Sequence, residues 1–144
     1  MVNPLKVDRL TGHLREYINH LRNLGDLGQA AVLSDPYKVG ATRYYLQVAI
    51  EACIDIGNHV IASDRLGAPT SHRETFQILN QVGILPNDFT RTLQQMASMR
   101  NRLVHLYSEI DDDIVFAAIL NAPADCEKFV QLILDYMQTN DEAE

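Results

Sequence analysis

The stretch from residue 37 to residue 63 reads YKVGATRYYLQVAIEACIDIGNHVIAS and is the most apolar segment of the chain. Its apolar side chains recur at steps of three and four residues, the spacing that places side chains on one face of an α-helix. Ser34-Asp35-Pro36 comes directly before it and supplies an N-cap side chain followed by a proline in the first turn. We therefore expect a helix over residues 37–63 that runs through the middle of the fold.

The preceding segment shows the same helical spacing. From about residue 5, apolar side chains recur at three- and four-residue steps, and Gly25 and Gly28 weaken the end of this predicted helix. Two helices of this kind, separated by a short breaker, are expected to pack against each other as a long antiparallel hairpin.

A short helix is predicted after the loop at residues 67–71. Ser71 begins a capping box with Glu74, in which the serine side chain accepts a hydrogen bond from a backbone N–H of the first turn. Gly83 ends this helix, which we place over residues 72–82.

The C-terminal third adds two more helical regions. Pro86 starts the first of them, and the acidic run at residues 109–113 separates it from the last one, in which Pro123 indicates a kink. No segment shows the apolar–polar alternation of a half-buried strand. We therefore predict one all-α domain over residues 1–144, an antiparallel bundle of about five helices, with an acidic frayed tail at about residues 140–144.

The composition is sufficient for a folded core without disulfide bonds or metal ions. Of the 144 residues, 47% are hydrophobic and 22% are charged. The formal net charge of −7 argues against a protein that binds nucleic acid non-specifically. However, residues 1–108 carry eleven basic and nine acidic side chains, whereas residues 109–144 carry one basic and ten acidic ones. A local basic site in the first 108 residues is therefore compatible with the composition.

The sequence predicts a cytoplasmic protein without a membrane span. Charged residues or histidine interrupt every apolar run before it reaches the about 20 residues of a transmembrane helix. The first residues lack the basic-then-apolar pattern of a secretory signal. Cys53 and Cys126 stand alone, without neighbours at metal-ligand spacing, so we expect buried thiols rather than zinc ligands.

One group of polar residues interrupts the apolar helix predicted over residues 37–63. It consists of Glu51, Asp55, Asn58 and His59. Asp55 and His59 are four residues apart, so they share a helix face and lie within hydrogen-bond reach of each other. Two interpretations stay open: a satisfied pair that joins helices, or a catalytic or supporting role.

A second group lies at residues 100–107, which read RNRLVHLY. At about 100° per residue, Asn101 and His105 are about 40° apart and Arg100 and Tyr107 about 20° apart. Arg100 and His105 are about 140° apart, so they cannot both occupy the centre of one helix face. For both to act on one substrate, they would have to converge in a cleft beside the helix or across a dimer interface.

Arginine and histidine together suit phosphate chemistry without a metal ion. Arginine offers a permanently charged, planar group for phosphoryl oxygens, and histidine exchanges a proton near neutral pH. The same two residues five positions apart also occur by chance in many helices, where they make structural hydrogen bonds. The glycines form no phosphate-binding loop, so no cofactor is expected.

The octet at residues 100–107 resembles the signature of HEPN-domain ribonucleases, and more narrowly the Arg-x4-His-x-Tyr form of HepT-like toxins. Arg100, His105 and Tyr107 match that pattern, and Asn101 matches the polar residue that often follows the arginine. Residues 45–59 are similar to a helix of the same family. The resemblance covers most of residues 10–108 and implies a HEPN-type antiparallel helical bundle.

The resemblance also implies a function and two protein partners. It points to a dimeric, metal-independent endoribonuclease toxin, encoded beside a minimal nucleotidyltransferase antitoxin of the MntA type. In such systems the antitoxin uses ATP to transfer AMP to the motif tyrosine, here Tyr107, and silences the toxin. The implied partners are an RNA substrate, this antitoxin and a second copy of the chain.

Within this framework the candidate residues have separate roles. His105 would deprotonate the ribose 2′-hydroxyl or protonate the leaving 5′-oxygen, and Arg100 would stabilise the charge on the phosphorane. Asn101 would orient the phosphate or the imidazole, and Asp55 would position the site. The product would be a 2′,3′-cyclic phosphate. Further candidates for substrate contact are Arg102, His59 and Asn58.

The AMP on Tyr107 has a predicted mode of action. Tyr107 lies on the Arg100 face of the predicted helix, so the AMP phosphate would pair with Arg100 or Arg102 and compete with RNA. The simpler alternative for Tyr107 is an ordinary aromatic residue at a helix end.

Two other functions share the same fold. One is a non-catalytic HEPN module that binds nucleotide or RNA as the partner subunit of a nucleotidyltransferase. The other is a structural helical dimer in which Arg100 and His105 form interface hydrogen bonds. Fold alone does not separate them from the enzyme, but the intact Arg/His/Tyr set favours the enzyme.

Overall fold

The computed structural model describes residues 1–143, which form six α-helices and no β-strand within that range. The helices are α1 (Pro4–Leu27), α2 (Gln29–Leu33), α3 (Pro36–Ser63), α4 (His72–Gln81), α5 (Asn87–His105) and α6 (Asp112–Ala143), with a 3-10 turn at Tyr107–Glu109 between α5 and α6. The all-α prediction is confirmed. The short helix α2 adds to the five helices that the sequence indicated.

Helix α3 lies at the centre of the bundle and contacts every other helix. Its N-terminus forms as the sequence predicts: the Asp35 carboxylate accepts a hydrogen bond from the N–H of Tyr37, and Pro36 occupies the first turn. Helix α1 packs along α3 as the expected hairpin. Phe76 of α4 and Phe129 of α6 meet edge to face in the core, with ring centroids 5.8 Å apart.

Glycine marks the end of α1 as expected, although only one of the two glycines breaks the helix. The helix passes through Gly25 and ends at Leu27, because Gly28 adopts a φ of 88°. This left-handed backbone is strained for any residue with a Cβ atom.

The capping box of α4 is half formed. The Ser71 hydroxyl accepts a hydrogen bond from the N–H of Glu74 at 3.1 Å, as predicted. The Glu74 carboxylate instead accepts a hydrogen bond from the Thr70 hydroxyl at 2.6 Å. Both contacts fix the loop that enters α4, and this loop forms one wall of the site described below.

Helix α6 differs from its prediction at the tail. It continues without interruption through the buried Pro123 to Ala143, so residues 140–143 of the tail expected to fray are helical, and Glu144 lies outside the described residues. Asn140 explains part of this order, because its side chain donates a hydrogen bond to the Asp64 carboxylate at 3.4 Å.

Alanine is expected to have opposite effects at Gly28, which ends α1, and at Gly12, which lies inside it. Gly28→Ala is expected to lower the free energy of unfolding by about 1 kcal/mol, because alanine disfavours the positive φ at this position. Gly12 lies inside α1 with open space around its Cα, so Gly12→Ala is expected to raise it by about 0.5–1 kcal/mol. Urea unfolding of both variants measures the difference; equal effects would contradict the assigned end of α1.

Candidate active site

A cleft of about 420 Å³ opens between α3, the entry loop of α4 and the C-terminal half of α5. Its lining is mostly polar and contains side chains from all three segments. The lining residues are Asn58, Pro69, Thr70, Ser71, His72, Thr75, Arg100, Asn101 and His105. Arg100, Asn101 and His105 therefore share one cleft beside the helix, which is one of the two arrangements that the helical geometry allowed.

Arg100 is held by a carboxylate from the central helix. Its Nε and Nη2 atoms donate hydrogen bonds to Oε2 of Glu51 at 3.1 and 2.9 Å. The Glu51 Oε1 atom accepts a longer hydrogen bond from Gln47 on the preceding turn of α3. Both members of the ion pair are partly exposed, at 18% and 28% of their side chains. The pair fixes the direction of the guanidinium and leaves part of it open to solvent.

Asn101 links this arginine to a second imidazole in the cleft. The Asn101 side-chain oxygen accepts a hydrogen bond from Nη1 of Arg100 and lies 3.2 Å from Nδ1 of His72. His72, at the first position of α4, was missed by sequence reasoning. The available signal was a histidine directly after the N-cap Ser71, off the apolar stripe of the predicted helix.

His105 is the last residue of α5 and faces solvent. Within residues 1–143 its ring forms no hydrogen bond, so both ring nitrogens are free for a substrate. Hydrogen bonds hold the nearby Arg100, which suits a cation that binds an anionic group. The His105 ring has no such contact, which suits an imidazole that exchanges protons.

Two of the four polar residues of α3 are connected to the cleft. Glu51 is connected through its ion pair with Arg100, and Asn58 is connected directly. Asn58 lines the cleft, and its side-chain oxygen accepts a hydrogen bond from the buried Thr75 hydroxyl at 2.7 Å. That bond joins α3 to α4 and leaves the amide N–H group of Asn58 available.

The predicted pairing of Asp55 with His59 is not formed in the described residues. His59 Nε2 instead accepts a hydrogen bond from the backbone N–H of Asn3 at 3.1 Å, and the ring lies 3.5 Å from the Ser63 hydroxyl. The helical spacing was right, but the start of α1 provides a backbone donor that takes the imidazole. His59 therefore lies away from the cleft that holds Arg100.

Asp55 lies in a neighbouring groove between α1 and α3, not in the cleft. It shares this groove with Glu51 and Tyr17. Partial burial of the carboxylate, together with the negative charge of Glu51, raises the pKa of Asp55 above its usual value. Asp55 does not line the cleft, but interactions with His72 and Arg100, which do, act in the opposite direction and lower this pKa.

Arg102 and Tyr107 also lie outside the cleft. The Arg102 side chain is exposed and forms no hydrogen bond within the described part of the chain. The prediction that Tyr107 continues the Arg100 face is wrong, because α5 ends at His105 and Tyr107 begins a 3-10 turn. The Tyr107 ring instead lies against the guanidinium of Arg43, with the Arg43 Cζ 4.4 Å from the ring centroid.

Arg43 of α3 was missed by the sequence analysis, although its guanidinium donates four hydrogen bonds to residues between Tyr107 and Asp112. Its Nε and Nη2 atoms donate to Oδ1 of Asp112, Nη2 also donates to the Ile110 carbonyl, and Nη1 donates to the Tyr107 carbonyl. The available signal was a single arginine within the apolar helix, matched by the acidic run at residues 109–113.

Residues 1–143 contain no group of three or more His, Cys, Asp or Glu placed to hold a metal ion. In the same range, every helix is too short or too polar to cross a lipid bilayer. Cys53 and Cys126 are buried free thiols, as the sequence predicts.

An all-α bundle whose cleft presents the arginine and histidine of an Arg-x4-His-x-Tyr motif defines the HEPN class of proteins. The sequence profile of one family, described as Ribonuclease HepT-like, matches residues 14–133. The chain belongs to this family, which confirms the resemblance seen in the sequence.

Similar proteins carry names of the same kind. One, named mRNA nuclease HepT, from Shewanella oneidensis, is 38% identical over 88 residues, which are 61% of this chain and 66% of that relative. Another, named tRNA nuclease HepT, from Aphanizomenon flos-aquae, is 28% identical over 98% of this chain and 96% of its own length.

A solved structure shows the same fold in a complex. A tri-AMPylated HEPN toxin of Shewanella oneidensis, bound to an MNT antitoxin, superposes with a TM-score of 0.83 at 29% identity. The match covers 92% of this chain and 98% of that toxin.

The hydrogen bond from Asn3 to His59 predicts a pH-dependent stability. Partial burial and the positive charge of Lys6 lower the pKa of His59 below its ordinary value of 6.5, so the unfolded chain binds this proton more readily than the folded one. The free energy of unfolding is therefore expected to fall as pH drops from about 7.5 to about 5.5.

Urea unfolding of the wild type and of His59→Gln at both pH values measures this effect. The variant is expected to lose less stability than the wild type over the same interval. His13→Gln is the matched control, because no hydrogen bond among residues 1–143 depends on that ring, and it should follow the wild type. An unchanged pH dependence in His59→Gln would contradict the assigned role.

Proposed function

We propose that this chain is the endoribonuclease toxin of a toxin–antitoxin module and that it cleaves RNA without a metal ion. The observation that carries this proposal is the convergence of Arg100, Asn101 and His105 in one cleft, despite their different directions on α5. The membership in a ribonuclease family and the nuclease names of two relatives support the same activity.

The proposed reaction uses the ribose 2′-hydroxyl as the nucleophile. The 2′-oxygen attacks the adjacent phosphorus and the bond from phosphorus to the 5′-oxygen breaks, which gives a 2′,3′-cyclic phosphate and a 5′-hydroxyl. His105 accepts the proton of the nucleophile or donates one to the leaving oxygen, because its ring is free and exposed. Arg100 stabilises the negative charge that develops on the phosphorane oxygens.

The neighbours of Arg100 support its role. Glu51 and Asn101 use three of its five N–H groups, which leaves two for phosphate oxygens. His72, next to Asn101, and Asn58, with its free amide N–H group, are candidates for further RNA contacts. Asp55, His59 and Arg102 do not line the cleft, so we expect no contact between them and the substrate.

A second copy of the chain is the proposed partner for catalysis. Helix α3 exposes an apolar stripe at three- and four-residue steps that includes Tyr37 and Tyr44, with exposures of 89% and 55%. Ala41 and Val48 lie on the same stripe and are partly exposed. A homodimer that covers this stripe removes apolar surface from water and brings together the two helices that hold Glu51.

Silencing is proposed to occur by AMPylation of Tyr107. The tyrosine oxygen attacks the α-phosphorus of ATP, pyrophosphate leaves and the phenolic proton is released, with a minimal nucleotidyltransferase as the enzyme. Tyr107 is 55% exposed and follows His105 by two residues, so its Cα lies within about 7 Å of the His105 Cα. A nucleotide at this position adds bulk and negative charge beside the cleft, and both oppose RNA binding.

Substitutions in the cleft are expected to abolish cleavage without unfolding the chain. Arg100→Ala and His105→Ala should each lower the rate by at least about 100-fold, because each removes a group that acts in the transition state. Gel analysis of a labelled RNA measures the rate, and mass spectrometry identifies the cyclic phosphate. Replacing the 2′-hydroxyl at the cleavage site by hydrogen should block the reaction, whereas EDTA should leave the rate unchanged.

Arg91→Ala is the matched control on the same helix, since Arg91 is 69% exposed and far along α5 from the cleft. Equal cleavage by Arg100→Ala and the wild type would overturn the assignment of the cleft. Absence of cleavage in the wild type, together with unchanged growth on expression, would favour the non-catalytic binding module instead.

AMPylation is expected at Tyr107 and not at the other tyrosines. Incubation with ATP and the nucleotidyltransferase encoded by the neighbouring gene should add AMP to the peptide that contains Tyr107, and should abolish RNA cleavage. Mass spectrometry of proteolytic peptides locates the modification, and Tyr107→Phe should receive none. Modification of a different peptide in the wild type would contradict the proposed site.

A further inference from the structure

We propose that Arg43 is the positioning residue that presents the Tyr107 hydroxyl to the nucleotidyltransferase, with Asp112 as its anchor. This inference rests on the proposed AMPylation of Tyr107 and adds the groups of the toxin that prepare the tyrosine for it. The observation that supports the inference is the contact between two residues. Arg43, from the central helix α3, stacks against the exposed Tyr107 in the connection from α5 to α6.

Arg43 is anchored by the Asp112 carboxylate and a backbone carbonyl. The Asp112 Oδ1 atom accepts hydrogen bonds from its Nε at 2.9 Å and its Nη2 at 2.7 Å. The Ile110 carbonyl accepts a further bond from Nη2 at 2.7 Å. Arg43 is 7% exposed, so these bonds form largely out of water, where an unpaired guanidinium would be costly. The guanidinium plane therefore has one fixed orientation.

The fixed guanidinium in turn orients Tyr107, because it contacts both the backbone and the ring of this residue. The Nη1 atom of Arg43 donates to the Tyr107 carbonyl at 2.8 Å, and the guanidinium Cζ lies 4.4 Å from the centre of the tyrosine ring. The arginine thus holds both the backbone and the ring of the same residue. A cation–π contact of this kind restrains the rotation of the ring as well as adding attraction.

The contact with Arg43 leaves much of Tyr107 exposed to solvent. Tyr107 is 55% exposed, and its neighbours from Val104 to Glu109 are also exposed. One face of the ring lies against Arg43, and about half of the residue's surface stays open to an enzyme. Without the arginine, an exposed tyrosine in a connecting turn would have to be ordered during the transfer, at a cost in conformational entropy.

Arg43 acts through Tyr107 and not on the nucleotide or the RNA. Four of its five N–H groups are already used by Asp112 and two backbone carbonyls. It does not line the cleft that contains Arg100. Its replacement should therefore alter AMP transfer and leave RNA cleavage by the unmodified chain intact.

Arg43→Lys tests this role with the positive charge retained. Lysine keeps a cation near Asp112 but lacks the planar face and the fixed fork of donors. AMP transfer to Tyr107, followed by intact-mass spectrometry with ATP and the nucleotidyltransferase from the neighbouring gene, is expected to lose about tenfold in kcat. KM for the toxin should be unchanged, because a buried side chain does not contact the enzyme. RNA cleavage should stay within about twofold of the wild type.

Arg15→Lys is the matched control. Arg15 joins α1 to α6 through an ion pair with Glu127 at 3.4 Å and is remote in sequence from the tyrosine and its connection. It should change neither AMP transfer nor cleavage. Asp112→Asn is the second variant for the case in which Arg43→Lys loses its fold, because Asp112 is partly exposed and its replacement keeps the carbonyl bonds of Arg43. It should slow transfer in the same direction, by about threefold.

The outcomes separate this inference from the function on which it rests. A lower kcat with unchanged KM and unchanged cleavage supports the positioning role. Equal transfer rates in the wild type, Arg43→Lys and Asp112→Asn overturn it while the AMPylation of Tyr107 stands. A higher KM with unchanged kcat also overturns it, since that pattern indicates a disturbed docking surface. Absence of transfer to the wild type overturns the proposed silencing itself, and the positioning role with it.

Discussion

The buried guanidinium of Arg43 imposes the constraint that orders the connection between α5 and α6, which carries Tyr107. A cation that is taken out of water must find a carboxylate and further acceptors, and here it finds Asp112 and the carbonyls of Ile110 and Tyr107. Tyr107 and Ile110 lie in the connection between α5 and α6, and Asp112 is the first residue of α6. Because Arg43 belongs to α3, its hydrogen bonds tie the connection to α3 and fix the segment that directly follows His105.

Two arginines with the same chemistry thus have different tasks because of their surroundings. Arg43 is almost fully buried and uses four of its five N–H groups within the chain, so it organises structure. Arg100 is held at one edge by Glu51 and Asn101, keeps two N–H groups and is partly exposed, so it suits an external anion. The difference is one of geometry and solvent access, which the residue type does not reveal.

Helical spacing was sufficient to predict most of the fold. The hairpin of α1 and α3, the N-cap Asp35 and the entry of α4 at Ser71 follow from local rules about spacing and capping. The cleft was partly predictable, because the angle between Arg100 and His105 excluded a shared helix face and required a further element, either beside α5 or across a dimer interface. Which element that is, namely the entry loop of α4 with His72, was beyond the reach of spacing within one helix.

The sequence by itself determined the helices, the apolar faces that pack them and the presence of an Arg-x4-His-x-Tyr motif, because these depend on residues only a few positions apart. Only the tertiary structure decided the partners of the polar side chains. His59 binds the N–H of Asn3, Arg100 binds Glu51, and Tyr107 stacks on Arg43, across separations of about fifty residues or more. Several donors and acceptors could form each of these contacts, and burial determines which of them pair. The choice of partner therefore depends on which groups the packing of the helices brings together.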